Sequence, residues 1–363
     1  MSVDADAVLH LAALIVGCLI IATILWDAFE TIALPRTASR TLRLTRLFYR
    51  STWRLWVAAA HHLGSDRRRE RLLAVYGPLS VFGLLAVWAA GLTTGFALLL
   101  WSQQALVSSL PGDSLLFDLF YLSGSTLFTL GPGNLEPHDA AGRVLTVVEA
   151  GIGLALLSLV LSYLPVLYGA FSRREVRVTL LHAWAGSPPA AAAVLRRLAS
   201  TGDPLALDEF LKEWEHWCAE LLESHLSYPA VAYFRSQHQE QSWVSALTTI
   251  LDVSALLKIG VEGLPTWRAH GTFAIAQHAS VDLARIVGGP VDPAVDRLPP
   301  DEYAALEEEL EQSGLALNPC ADCTGQLARL RRTYEPYIAA LSARLVMPTP
   351  LWRHATDLWD LSE

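Results

Sequence analysis

Three long stretches in the first half of the chain are almost entirely apolar. They cover residues 7–26, 72–100 and 144–171. The only acidic or basic side chains within them are His10 and Glu149. Because about 20 helical residues cross a hydrocarbon core of about 30 Å, the pattern predicts three transmembrane helices. A fourth apolar helix is predicted at 115–127, where the run is too short to cross.

The short apolar helix at 115–127 is followed by a glycine-containing segment. Its residues are Thr129, Leu130, Gly131, Pro132, Gly133 and Asn134. Irregular backbone at membrane depth occurs only where it is buried in protein or lines a water-filled path. The sequence therefore predicts a re-entrant pore helix and loop between the second and third transmembrane helices.

Basic residues are distributed unevenly among the loops. Ten arginines lie between residues 36 and 71, whereas residues 1–27 and 102–142 contain neither lysine nor arginine. An excess of basic residues is typical of cytoplasmic loops. We therefore expect a multi-pass protein of the inner (plasma) membrane, with its N-terminus outside the cell and its C-terminus in the cytoplasm.

Six arginines of the first loop recur every three or four residues. They are Arg36, Arg40, Arg43, Arg46, Arg50 and Arg54. Apolar and aromatic residues lie between them, which is typical of an amphipathic helix in the lipid headgroup region. A voltage sensor also spaces arginines in this way, but one preceding transmembrane helix is too few for a sensor bundle. We expect Asp27 and Glu30 to pair with these arginines.

Composition distinguishes the second half of the chain from the first. Of the 363 residues, 52% are hydrophobic and 17% charged, and the formal net charge of −9 is the sum of +2 before residue 190 and −11 after it. An acidic region without a basic stripe argues against nucleic acid as a partner. Mixed apolar and polar faces predict helices at 205–224, 243–259, 273–287, 302–311 and 326–346.

Four cysteines in a chain of this length do not suggest a disulfide framework. Reduced thiols are the expectation, and Cys320 and Cys323 form a lone CxxC pair. A closed zinc site needs four ligands, and the neighbouring His and Cys residues lack zinc-finger spacing. We therefore predict neither a metal site nor a cofactor. A membrane enzyme or metal sensor using this pair is the weakest alternative, because no catalytic triad is recognisable.

The order of helix, pore helix, glycine-containing loop and helix resembles the pore module of bacterial potassium channels, a two-transmembrane ion-channel module. That family's filter reads Thr-Val-Gly-Tyr-Gly-Asp and aligns residue by residue with 129–134. Further positions that resemble the family's spacing are Pro137, Gly142, Arg143, Gly151 and Gly153. The resemblance covers residues 72–175 and leaves out the first helix and the C-terminal domain.

The resemblance implies a filter in which backbone carbonyls replace the water around a dehydrated cation. Gly131 and Gly133 suit this role, because successive carbonyls face one axis only if the backbone visits left-handed conformations. Thr129 would supply a carbonyl and a hydroxyl at the inner end. One chain supplies a quarter of the ring, so the resemblance implies a homotetramer in membrane lipid with potassium as the permeant ion.

Three filter positions depart from the family pattern. Leu130 replaces valine, which changes the bulk behind the filter. Pro132 replaces tyrosine and so removes an aromatic brace and a backbone N–H. Asn134 replaces a carboxylate at the outer mouth, which weakens the attraction for external cations unless Glu136 or Asp139 compensates.

The third transmembrane helix contains features suited to gating. Gly151 and Gly153 lie near its middle, and Pro165, which permits a kink, lies near its cytoplasmic end. The alternative is simple tolerance, since glycine and proline are common in transmembrane helices. Glu149 is either a charge in the pore cavity or a partner of a nearby hydroxyl; we favour a role in supporting the filter.

These patterns predict an all-α membrane protein. Its parts are a transmembrane helix at 1–35, an arginine-rich segment at 36–71, a pore module at 72–175 and a helical cytoplasmic domain at 176–363. We expect a tetrameric channel, not an enzyme, that passes a monovalent cation and whose C-terminal domain regulates opening. The alternative is a pore-derived sensor or scaffold that does not conduct and acts through its acidic domain.

Overall fold

The structure is a computed structural model, and it describes residues 2–32, 44–103, 115–131, 133, 135, 137, 139–236, 238, 241–261, 264, 267–317 and 322–353. These residues form twelve α-helices and a short 3-10 helix at Pro229–Tyr233, with no β-strand beyond an isolated bridge between Val261 and Leu317. The predicted all-α class is confirmed. The helices are α1 (Ser2–Ile32), α2 (Leu44–His61), α3 (Asp66–Ser102), α4 (Leu115–Leu127), α5 (Ala140–Ala185), α6 (Ala191–Ser200), α7 (Pro204–Ser227), α8 (Trp243–Ile259), α9 (Trp267–Val287), α10 (Pro300–Gln312), α11 (Cys323–Arg331) and α12 (Glu335–Leu345).

Helices α1, α3 and α5 are long and apolar enough to cross a membrane. Helix α5 has 46 residues and α3 has 37. At 1.5 Å per residue these helices are about 69 Å and about 55 Å long, well beyond the hydrocarbon thickness of about 30 Å. Both helices therefore extend past the lipid into the rest of the protein.

The chain forms two compact units. The first comprises Met1–Leu63 and Val75–Tyr168, and the second comprises Gly64–Ala74 and Gly169–Glu363. Helices α3 and α5 contribute residues to both units.

Glycines allow α1 to pack closely against α3 in the first unit. A Cβ atom at Gly17 would lie 2.8 Å from the carbonyl oxygen of Gly95, and one at Gly95 would lie 2.6 Å from Cγ1 of Ile21. Gly91 leaves room for Ile24 in the same way. Small residues at this spacing let transmembrane helices approach each other closely.

Asp27 joins three helices of the first unit. Its carboxylate, on α1, accepts hydrogen bonds from the backbone N–H and the hydroxyl of Thr45 on α2, and from the indole N–H of Trp88 on α3. These three donors hold the buried carboxylate among the described residues, and its expected pairing with the arginines of the first loop stays a prediction. Glu30 is also buried.

The amphipathic helix predicted in the first loop corresponds to α2. Tyr49 and Trp53 are buried on one face, and the Trp53 ring meets Tyr76 of α3 at a centroid distance of 4.7 Å. The arginines at 46, 50 and 54 are exposed. The arginines at 36, 40 and 43 lie outside the described residues.

Helix α8 is the centre of the second unit. Every residue of α8 except Lys258 is buried, and α6, α9, α11 and α12 pack around it. Its Asp252 is held by Arg297 and Tyr334, with distances of 2.6 and 2.7 Å to Oδ1. The helix predicted at 243–259 is thus confirmed as a buried helix of the second unit.

One prediction for the second unit, a single helix near its C-terminal end, is wrong. The apolar pattern predicts a single helix at 326–346, but α11 ends at Arg331 and α12 begins at Glu335. Pro336 occupies the first turn of α12, where its missing N–H leaves no hydrogen bond unmade. In the interior of a longer helix the same proline would remove a backbone hydrogen bond.

Candidate functional site

The short helix α4 is anchored by an apolar cluster in the first unit. Leu119 and Leu122 of α4 pack against Ala97 and Leu100 of α3 and against Leu135, which follows the glycine-containing loop. These side chains are at most 8% exposed. The cluster holds both ends of the loop against α3.

Helix α4 ends in a Schellman motif. The N–H of Leu130 donates to the carbonyl of Ser125 at 2.8 Å, and the N–H of Thr129 donates to that of Thr126 at 2.9 Å. Thr129 therefore occupies the position that usually adopts a left-handed conformation. Its φ is 56°, which is uncommon for a β-branched residue.

The left-handed conformation recurs at every second residue of the loop. Gly131 has φ 89° and Gly133 has φ 64°, and Leu130 between two left-handed residues is not left-handed. Alternation of this kind turns successive carbonyls to the same side of the chain. Pro132 and Asn134, like Glu136, lie outside the described residues.

Glu149 is buried and contacts α4 directly. The hydroxyl of Ser123 on α4 lies 2.5 Å from Oε1 of Glu149 on α5 and 2.9 Å from the carbonyl oxygen of Thr93 on α3. Ser123 is 0% and Glu149 is 1% exposed. This hydrogen-bonded group therefore joins the three helices directly behind the loop.

The two glycines of α5 have different surroundings. A Cβ atom at Gly153 would lie 1.9 Å from the carbonyl oxygen of Leu127, the last residue of α4, whereas no atom of the described residues would lie within 4 Å of a Cβ at Gly151. Gly153 is thus required for the close approach of α5 to the end of α4. Pro165 lies within α5, which continues through it to Ala185.

The segment after the loop is fastened to the start of α5. The Nε of Arg143 donates to the carbonyl of Pro137 at 3.2 Å, and the carboxylate of Asp139 accepts from the N–H of Gly142. Asp139, one of the two carboxylates that could compensate for Asn134 at the outer mouth, therefore caps α5. Its other carboxylate oxygen is buried without a hydrogen-bond partner in the described part of the chain.

Helix α5 has two faces of contrasting character. The buried face carries Glu149 and Gly153, and at 100° per residue the opposite face carries Gly151, Ser158 and Ser162. Both serines are exposed, and each donates its hydroxyl to the carbonyl four residues earlier. Within the most apolar 18 residues, this chain buries 11% of α5 but 39% of α3.

Several residues of this site are not recognisable from the sequence. Ser123 and the Leu127 carbonyl acquire their roles only through contact with α5. Asp118 is another such residue: it is 5% exposed in the first turn of α4, where the helix dipole favours a carboxylate. No partner for its Oδ2 occurs among the described residues.

The cysteines differ from the expectation of reduced thiols. Cys323, at the start of α11, is disulfide-bonded, whereas Cys18 and Cys218 are free. Cys320 lies outside the described residues. Within the described ranges, no group of three or more His, Cys, Asp or Glu side chains could hold a metal ion.

Comparison with known proteins identifies part of the chain. Residues 84–167 match the model of a family described as "Ion channel", which confirms the resemblance to the two-transmembrane ion-channel module. The matched residues include the second half of α3, the whole of α4, the loop and more than half of α5.

The chain is also similar to a protein described as the uncharacterized membrane protein YdjJ of Bacillus subtilis (strain 168). The two are 22% identical over 222 residues, which is 58% of this chain and 60% of the relative. The chain thus spans about three fifths of that relative's length. No solved structure matches the chain.

Proposed function

We propose that this chain, which contains an ion-channel module at residues 84–167, assembles as a homotetramer that passes potassium through a filter of backbone carbonyls. The observation that carries the proposal is the left-handed backbone at Thr129, Gly131 and Gly133, directly after the buried helix α4. Four copies of such a strand around one axis would surround a dehydrated monovalent cation with oxygen atoms.

The end of α4 supports this proposal electrostatically. The carbonyls of the last turn of a helix carry partial negative charge, and the Schellman motif keeps that turn intact as far as the loop. A cation on the inner side of the filter would be stabilised by four such helix ends. Thr129 adds a hydroxyl oxygen at the same level.

Exposed apolar side chains support an assembly of several copies. Phe128, just before the loop that would form the filter, is 60% exposed, and Leu130 within it is 78% exposed. In an assembly with a shared axis, these side chains would pack behind the filters of neighbouring copies. The low coverage of α5 by its own chain fits the same arrangement.

The polar face of α5 supports a water-filled cavity below the filter. Ser158 and Ser162 point away from the face that packs on α4. Exposed hydroxyls and small residues suit a water-lined path better than a lipid surface.

The distribution of arginines supports a plasma-membrane location with the second unit in the cytoplasm, where it would regulate opening.

Reconstitution into liposomes loaded with potassium tests this function. We expect potassium efflux down its gradient from protein that native mass spectrometry identifies as a tetramer. Thr129→Ala should reduce the efflux, because it removes a filter hydroxyl, whereas Thr129→Ser should retain most of it. Thr94→Ala, at an exposed position whose hydroxyl bonds only to its own helix, is the matched control. Tetramers that show no efflux, or an efflux that Thr129→Ala leaves unchanged, would contradict the proposal.

A second candidate function is a sensor or scaffold that no longer conducts. The observation in its favour is Pro132, which stands where the family has tyrosine and removes a backbone N–H. Pro132→Tyr distinguishes the two functions. If the parent protein does not conduct and Pro132→Tyr gives it potassium flux, the result would favour the non-conducting function. If the parent protein conducts and Pro132→Tyr raises its potassium selectivity, the result would favour the channel.

A further inference from the structure

A short buried segment of the second unit contacts both helices that continue into the first unit. We call residues 229–236, between α7 and α8, the clamp segment. Val231 is 0% and Phe234 is 2% exposed, so the 3-10 helix within the segment lies in the protein interior. Its backbone carbonyls must therefore find donors inside the protein.

Arg174 of α5 supplies two of these donors. Its Nη1 donates to the carbonyl of Val231 at 3.0 Å, and its Nη2 donates to that of Phe234 at 2.7 Å. The side chain is 2% exposed. The Phe171 ring of the same helix also contacts the Phe234 ring, at a centroid distance of 5.5 Å.

Each nitrogen of the Arg174 guanidinium donates a hydrogen bond. Besides the two clamp carbonyls, Oε1 of Glu175 lies 2.9 Å from Nε and from Nη2, and Nε2 of His225 lies 3.2 Å from Nη1. His225 Nδ1 lies 2.8 Å from the carbonyl oxygen of Leu221, so Nδ1 carries the proton and Nε2 accepts. Lysine has three donors and no planar fork, and it could not make this set of bonds.

The last part of the clamp segment binds α3. Arg235 forms a salt bridge with Glu70, near the start of α3, and its side chain is 4% exposed. The Nη2 of Arg235 also donates to the carbonyls of Leu345 and Val346 at 2.8 and 2.7 Å, where α12 ends. Arg235 thus links α3 through the clamp segment to the core of the second unit.

We propose that the clamp segment is the coupling element through which the second unit sets the positions of α3 and α5. Arg174 and Arg235 are its positioning residues, one for each helix. Because α5 is continuous from Gly153 through Pro165 to Arg174, a displacement of the clamp segment is carried along that helix. The regulatory meaning of this coupling rests on the proposed channel function.

A neighbouring arginine on α5 is exposed where Arg174 is buried, so the two can be compared directly. Arg177 lies three residues after Arg174 on the same helix, but its side chain is 37% exposed and forms an ion pair with the half-exposed Glu213. An ion pair at an exposed position contributes little to stability. Arg177→Lys is therefore the matched control for Arg174→Lys.

Single-channel recording of the reconstituted full-length protein tests the coupling. Arg174→Lys and Arg235→Lys should each change the open probability at least about fivefold and in the same direction, because both release the same segment. The unitary conductance and the ion selectivity should stay as in the parent, since the filter is untouched. Arg177→Lys should leave all three quantities unchanged.

A second measurement does not depend on conduction. Hydrogen exchange followed by mass spectrometry should report faster exchange at residues 66–74 of α3 when Arg174 of α5 is replaced by lysine, by at least about fivefold. Glu70→Gln, a milder variant at a side chain that is 29% exposed, should in turn accelerate exchange in residues 169–177 of α5. Circular dichroism verifies that each variant remains helical.

The outcomes separate the coupling from the channel function. A parent protein that carries no ions while α3 and α5 respond to each other in hydrogen exchange would refute the channel and support the clamp. A conducting protein whose folded Arg174→Lys variant matches Arg177→Lys in open probability and in exchange would overturn the clamp.

Discussion

At the residue scale, two glycines that look equivalent in the sequence have different roles. Gly151 and Gly153 both lie in the first third of α5, near the middle of its apolar stretch, and either would suit a gating hinge. The structure gives Gly153 a packing requirement, since the Leu127 carbonyl occupies the space of a side chain. Gly151 has no such neighbour among the residues that the structure describes.

Alanine substitutions should separate these two glycines. Gly153→Ala places a methyl group 1.9 Å from a backbone oxygen and should lower the free energy of unfolding by about 1–3 kcal/mol or more. Gly151→Ala should be neutral or slightly stabilising, because alanine favours the helix. Thermal unfolding in detergent compares the two, and equal melting temperatures would contradict the packing role of Gly153.

His225 gives the second unit a defined dependence on pH. Burial lowers the pKa of His225 well below 6.5, and the charge of Arg174 lowers it further, whereas the hydrogen bond to Leu221 raises it. The unfolded chain takes up this proton as pH falls below 6.5, but the folded chain does not until the pH reaches the lower folded pKa. The contribution of neutral His225 to the free energy of unfolding is therefore fully present above pH 6.5 and is lost as the pH falls towards the folded pKa.

We expect the free energy of unfolding to fall by up to about 1.4 kcal/mol per pH unit below pH 6.5 from this histidine. His225→Gln keeps an acceptor for Arg174 but does not titrate, so its stability should vary less between pH 5 and 6.5. Urea unfolding followed by tryptophan fluorescence measures both proteins. Parallel pH profiles would exclude His225 as the source.

At the scale of elements, α1 is attached to α2 and α3 by close packing at glycines and by the hydrogen bonds of one carboxylate. Gly17 and Gly95 bring α1 and α3 together, and Asp27 binds donors from α2 and α3. The N–H of Thr45 belongs to the first turn of α2, where a negative charge is favourable. The additional helix is thus integrated with α3 and is not a loose anchor.

Removing one donor to Asp27 should loosen this junction. Thr45→Val retains the shape of the side chain but leaves the buried carboxylate without its closest partner, at a cost of about 1–3 kcal/mol. Thr94→Val on α3 removes an exposed hydroxyl that bonds only within its helix, and it should change stability by less than about 0.5 kcal/mol. Similar melting temperatures for the two variants would refute the role of Asp27.

At the scale of the whole molecule, the arginine distribution and three crossings predict the orientation in the membrane. Ser65, between α2 and α3, should face the cytoplasm, and Gln103, just after α3, should face the outside. Both positions are exposed in the chain.

Cysteine labelling checks this orientation. In a Cys18→Ser background, a membrane-impermeant maleimide should label Gln103→Cys in intact cells and Ser65→Cys in inverted vesicles. Cys218 is buried and Cys323 is disulfide-bonded, so neither should react in the folded protein. Labelling of both positions from the same side would contradict the predicted topology.

The sequence by itself determined the three apolar helices, the short helix between the last two, and the channel resemblance. These features are local, since the length of an apolar run and the spacing of Thr129, Gly131 and Gly133 can be read without knowing what packs against them. A local pattern also predicts one helix at 326–346 where the protein has two, because the apolar periodicity continues across the break before Pro336.

Only the tertiary structure decided which residues act as partners. The carboxylate of Glu149 meets Ser123 across 26 positions of sequence, Asp27 meets Trp88 across 61, and Arg174 meets Phe234 across 60. A single sequence carries no record of such pairings, because a hydroxyl, an indole or a backbone carbonyl can serve any donor or acceptor that folding brings near it. The contacts behind the loop and the clamp segment therefore emerge only when the helices are packed.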